Sequence, residues 1–287
     1  MVKRKKLWVS MQAVTLAGAG MLSACGEGEQ GEHGEHGAGH EHHQEASELS
    51  TLSYGEGEGE GEGEGEGEGA GADIDLSTND LAYLTQLGLM RGHLYVGNAL
   101  YQSGQIAHAK THMKHPESEL YAAVAPALDA RGAPAFAEQL QALAEAVSTE
   151  QSASDVAEAY RNVLAAISAG ESKVDAKSQS AASQLKLIAE LLRVAGEEYG
   201  IAVVDGKLEN AHEYQDALGF TVIAKETLAN ITPANDTEVE AKNAAGEVLE
   251  SLDGLWPSLM PPETLETEAG QIYGAAARIE ILTLGLQ

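Results

Sequence analysis

Ile201-Ala-Val-Val-Asp-Gly-Lys-Leu208 decides the fold class. A β-branched run followed by Asp-Gly is the strongest short-range signal for a two-residue hairpin. On both sides, however, apolar residues recur at spacings of three and four, the period of an amphipathic helix. No other stretch of the chain reads convincingly as a strand. With helical flanks this strong, the segment reads as a helix–turn–helix corner at Asp205-Gly206, and the chain as all-α.

Working outward, the same spacing recurs on either side. Leu265, Ala269, Ile272, Ala276 and Ile279 form the cleanest apolar stripe. Gly, Pro and Ser/Thr/Asp punctuation sets expected helices at about 78–103, 105–115, 116–131, 134–147, 154–169, 175–199, 207–230, 237–252 and 263–284. Ser77 with Asp80 three residues on resembles a capping box for the first. Short connections between long amphipathic helices imply antiparallel neighbours, so residues 73–287 are expected to form an antiparallel helical bundle. Leu89-Met90-Arg91, Gly104-Gln105-Ile106 and Ala109 align without gaps with Leu191-Leu192-Arg193, Gly206-Lys207-Leu208 and Ala211. The echo fits either a duplicated helical hairpin or the common turn signature of helical pairs.

Before this domain lie two segments that cannot build a core. Lys3, Arg4, Lys5 and Lys6 precede an uncharged stretch from Leu7 to Met21, too short to span a bilayer comfortably. Leu22-Ser23-Ala24-Cys25 closes it. This resembles the bacterial lipobox, which implies a signal peptide over 1–24, cleavage before Cys25 and diacylglyceryl (palmitate-type) lipidation of that cysteine. Gly26 follows with no Asp, which in a Gram-negative envelope implies sorting to the outer membrane, facing out of the cytoplasm. Cys25 is the sole cysteine, so with its sulfur modified, disulfides and thiolate metal sites are excluded. Residues 25–72 then form an expected disordered tether. It holds His33, His36, His40, His42 and His43, followed by a Gly-Glu alternation from Gly55 to Gly69 whose glycine content and self-repulsion argue against strand. A flexible chain of this length reaches about 40 Å. Its imidazoles resemble the flexible metal-collecting loops of zinc-uptake proteins and suit weak buffering of transition ions.

Cleavage removes four of 17 basic residues and none of the 45 acidic ones, leaving 13 against 45 and a net charge of −32. Such a chain repels nucleic acid and suits cationic partners and metal ions. The motifs of serine hydrolases, P-loop proteins, dinucleotide enzymes and zincins are missing from the sequence, and no enzymatic activity is expected.

Two constellations carry chemistry. His108, His112, His115 and Glu119 fall along one helical face, and His93 lies on the preceding helix. Imidazoles four apart can chelate one transition ion. Pro116 interrupts the line, because it removes an amide and disfavours helical geometry at His115. The second constellation is Glu209, His212, Glu213 and Asp216, where Glu209-x-x-His212 has the i, i+3 spacing of di-iron carboxylate bundles. Only one such motif is present, so a mononuclear site is expected over a di-iron one. Solvated polar helix faces would produce the same patterns.

Around the second constellation, Tyr199, Ala202, Val203, Gly206, Leu208, Glu213, Tyr214, Asp216 and Phe220 resemble a pattern in the helical extracytoplasmic domains of bacterial iron permeases. The resemblance implies iron handling before transport, with Glu213 and Asp216 as the acidic positions. Gly92-His93-Leu94, His112 and His115-Pro-Glu-Ser-Glu119 also resemble a group of uncharacterised helical bacterial lipoproteins. The expected function is thus a lipid-anchored binder of iron or another transition metal (zinc or copper), accessory to uptake, with the membrane and a metal transporter as partners. The competing expectation is a tethered structural or protein-interaction lipoprotein with no metal site.

Overall fold

The computed structural model describes residues 74–286. The expected signal peptide over 1–24, the tether over 25–72, Cys25 and the five tail histidines lie outside the described residues. Among the described residues the protein is an all-α bundle with one small hairpin. The helices are α1 (Asp80–Gln102), α2 (Ile106–His115), α3 (Tyr121–Ala130), α4 (Ala137–Ser148), α5 (Ala153–Glu171), α6 (Ala181–Ala202), α7 (Ala211–Asn230), α8 (Asp236–Glu250) and α9 (Gly270–Thr283). No helix of these residues is long and apolar enough to cross a membrane.

Helices α1, α6 and α7 form the centre. Each is buried on most of its circumference, which is why none shows a narrow apolar stripe. Helix α1 packs on α2, α5, α6 and α7, while α6 packs on α7 and α9. Helix α4 covers α5 and α2, and α8 lies on α9. Arg131, just past the end of α3, ties the start of α1 to the rest. Its guanidinium lies 2.5 Å from Asp80 Oδ1 and donates to the Leu76 carbonyl, while Asp80 Oδ2 accepts from Ser178 and the Asp175 amide.

Several boundaries depart from the sequence reading, each for a local reason. The cap of α1 is Asn79, whose side chain accepts from the Ala82 amide, so Ser77 and Asp80 do not form the capping box. Pro134 precedes its helix instead of opening it, and α4 starts at Ala137. The stretch from 175 begins as a single 3-10 turn, Ala176–Gln179, before Ser180 caps α6. Pro116 neither breaks nor restarts the helix. It opens a π turn, Pro116–Leu120, in which the Tyr121 amide reaches back to the Pro116 carbonyl. The wider turn absorbs the missing proline amide, and His115 keeps helical geometry at φ −53°, ψ −51°.

The largest correction concerns the opening segment. Val203-Val204 pairs antiparallel with Lys207-Leu208, a two-stranded hairpin, not a helical corner. Asp205 and Gly206 both take positive φ, 51° and 74°, as a tight I′-type turn requires. The hairpin is held by a third segment. Leu208 donates to the Glu263 carbonyl, Leu265 donates to the Gly206 carbonyl, and Lys207 bridges Thr264. Residues 263–265 are therefore extended, which delays α9 to Gly270. Leu265 reaches the core from this extended segment, while Ile272, Ala276 and Ile279 reach it from the helix. The sequence echo thus shares a positive-φ glycine, Gly104 and Gly206, but the two connections differ in form.

Because Gly206 sits at φ 74°, a Cβ there is strained whatever the surrounding space. Gly206→Ala is expected to lower stability by about 1–2 kcal/mol, read from the midpoint of urea unfolding at unchanged slope.

Candidate metal centre

Helices α1 and α7 cross at backbone contact. A Cβ built on Gly219 would lie 2.5 Å from the Gly92 carbonyl oxygen, and one on Gly92 would run into the Phe220 ring. Only a glycine pair permits this approach. The next residue along α1 is His93, and Asp216 lies one turn before Gly219 on α7. The crossing brings them together, with His93 Nδ1 at 2.6 Å from Asp216 Oδ1. Phe220 meets the His93 ring edge to face at 5.0 Å. From α2, His112 places its own Nδ1 3.0 Å from the same oxygen. All three groups are buried: His93 is 0% exposed, His112 2% and Asp216 5%.

One ligand atom from each of His93, His112 and Asp216 lies within 4.8 Å of the others, the one such set among the described residues. Burial alone would raise the Asp216 carboxyl. The two imidazoles, by charge and hydrogen bonding, outweigh that and hold it well below the usual carboxylate range. The carboxylate is therefore an anion throughout the neutral range.

Gln215 sets the state of His112. Its amide nitrogen donates to the Leu259 carbonyl at 3.2 Å and lies 3.5 Å from Met260 Sδ. This turns its oxygen toward His112 Nε2 at 2.9 Å, so that nitrogen carries the hydrogen. His112 Nδ1 then has two choices beside the carboxylate. It holds a second proton, making an imidazolium, or it offers a lone pair to a cation lying between. Beyond these two imidazoles, Asp216 Oδ1 has no hydrogen-bond partner. Two ring nitrogens and a carboxylate oxygen, buried and within reach of one another, fit the donor set of a transition ion.

The remaining expected residues fall into three groups. His115 stacks on His93 with ring centres 4.6 Å apart, and it lines a cavity of about 60 Å³ with Thr111, Asn210, His212, Glu213 and Asp216. That volume suits one ion with a water or two. Glu213 accepts from Asn210 Nδ2 at 3.2 Å. His108 is set further out and meets His212 edge to face at 5.4 Å, while His212 also meets His112 at 5.4 Å. Glu209 is exposed and lies before Asn210, the cap of α7. The Glu-x-x-His spacing is thus not a helical one, and it does not bring Glu209 to the site. Glu119 lies in the π turn after α2.

Two contributors carried no signal of their own in the sequence, Gly219 and Gln215, and Gly92 was read only as part of a family resemblance. Gln215 stands in the polar stretch His212–Asp216, and only its burial shows that its amide must find partners within the protein.

Residues 174–283 match the family model described as the iron permease-associated 4-helix bundle domain. The match takes in α6 to α9 and extends the resemblance seen at Tyr199–Phe220 on both sides. It includes Asp216 and Gln215, while His93 and His112 lie ahead of it. No curated protein and no solved structure matches the chain.

Gly219→Ala is expected to force α1 and α7 apart and lower stability by about 1–3 kcal/mol. Gly274→Ala, where an added Cβ meets nothing within 4 Å, should be neutral or stabilising by up to about 1 kcal/mol. Thermal unfolding of the two variants side by side checks the contrast.

Proposed function

We propose that this chain is a lipid-anchored protein of the bacterial cell envelope, facing out of the cytoplasm, whose helical domain holds one transition-metal ion and serves a metal-uptake system. The observation that carries the reading is the convergence of His93 Nδ1 and His112 Nδ1 on one buried oxygen of Asp216. Side chains from three helices meet there, at a crossing for which two glycines are needed.

Iron is the preferred ion on two grounds. The family matched over 174–283 is associated with iron permeases. The His93 and His112 ring centres are 6.4 Å apart, wider than the roughly 5 Å expected of two imidazoles on a tetrahedral ion. A wide nitrogen–metal–nitrogen angle suits a six-coordinate ion, with waters in the adjoining cavity completing the shell. The tail histidines would gather ions weakly, the buried centre would select, and a transporter would receive the cargo. Lipidation at Cys25 and a signal peptide over 1–24 supply the anchor in this reading.

The test uses the full mature chain with His33, His36, His40, His42 and His43 replaced by asparagine. Anaerobic titration with Fe²⁺ is expected to give an equivalent lost in both Asp216→Asn and His112→Ala. Equal uptake by parent and variants would identify the cluster as an internal ion pair, the outcome expected of an interaction protein. Because an ion and a proton compete for the lone pair of His112 Nδ1, binding should weaken as pH falls, seen in titrations at two pH values. Gln215→Leu, which removes the partner that orients His112, is expected to weaken binding by about 10–100-fold without abolishing it.

A further inference from the structure

Resting on the reading just given, we infer that His108 and His212 form a second, outer cation station for a tetrahedral divalent ion such as Zn²⁺. His108 stands at the third position of α2 and His212 at the second position of α7. Their ring centres are 5.4 Å apart and their planes are 87° to one another. Metal–nitrogen bonds of about 2.0–2.1 Å at tetrahedral angles put two bound imidazole centres about 5 Å apart. The pair thus has the separation of two ligands on one ion, which His93 and His112, at 6.4 Å, do not. His108 Nδ1 is buried and has no hydrogen-bond partner, although the residue itself is only half-buried. A buried ring nitrogen left unsatisfied at this position calls for a ligand.

His212 connects the two stations. It lies 5.4 Å from His108 on one side and 5.4 Å from His112 on the other, and it lines the cavity that reaches Asp216. The imidazoles therefore run without interruption from the half-buried rim to the buried carboxylate. The outer station must hold its ion less tightly than the inner one. Both its histidines sit in the first turn of a helix, where the helix dipole repels cations, and a buried anion such as Asp216 is absent from its donor pair. Weak outer binding ahead of a tighter inner site is the arrangement that lets an ion move inward.

Cobalt distinguishes the stations, because tetrahedral Co²⁺ absorbs visible light far more strongly than six-coordinate Co²⁺. The full mature chain with its five tail histidines replaced by asparagine is titrated with Co²⁺ and followed by equilibrium dialysis and visible absorption. Two equivalents are expected, the weaker one bringing the intense band. His108→Ala should remove the weaker equivalent and the band, and His108→Gln should do the same while keeping the side-chain volume. Uptake that stops at one equivalent lost in Asp216→Asn, or a second equivalent that persists in both His108 variants, would overturn the outer station and leave the buried centre standing. One equivalent lost in His108→Ala and kept in Asp216→Asn would do the reverse. Uptake of none would overturn both.

Discussion

The architecture rests on one close approach, the crossing of α1 over α7 at Gly92 and Gly219. Helices usually pack 8–10 Å apart because side chains stand between them. Here a carbonyl of one helix occupies the space a methyl group would need on the other. Side chains flanking the crossing are therefore pressed together. His93 and Asp216 are held at ion-pair distance in a region largely shielded from bulk water. A buried carboxylate by itself would be costly and would take up a proton. With imidazoles from α1 and α2 against it, the charge is stabilised, and the carboxylate becomes the point on which three helices converge.

The centre is assembled from two parts of the chain, one inside and one ahead of the stretch that matches the family model. Asp216 and Gln215 belong to the stretch that matches the iron permease-associated domain, whereas His93 and His112 come from helices before it. The matched stretch supplies the anion and the amide that orients its neighbour. The preceding helices supply the imidazoles and, through Gly92, half of the contact that aligns them. Neither part holds the full donor set.

Much of this was legible in the sequence, and the failures are physically instructive. The all-α class and the helix count over the described residues follow from a three-to-four spacing strong enough to survive local irregularities. The hairpin at Val203–Leu208 was read as a helical corner because its own strand signal is only a few residues long. What stabilises it is the pairing with Glu263, Thr264 and Leu265, far along the chain and invisible to any local pattern. The same pairing explains why the last helix starts late. Among the candidate ligands, His112, His115, His212, Glu213 and Asp216 were gathered by helical spacing, and they line one cavity. Glu209 was gathered by the same rule and lies outside, because the cap at Asn210 ends the reach of helical periodicity. His93 was placed beside the α2 histidines as a residue of the preceding helix, but what brings it to Asp216 is the α1–α7 crossing, and glycines announce no partner.

The contact between Gln215 and Leu259 has a consequence beyond holding a side chain still. An amide can turn over, exchanging its oxygen for its nitrogen at little intrinsic cost, and here the Leu259 carbonyl fixes which face His112 meets. Were that segment to shift, the reversed amide would offer a donor to Nε2. The ring would then adopt its other tautomer, and Nδ1 would keep its hydrogen against Asp216. The stretch around Leu259 thus reaches the proton inventory of the imidazole through a single intervening amide.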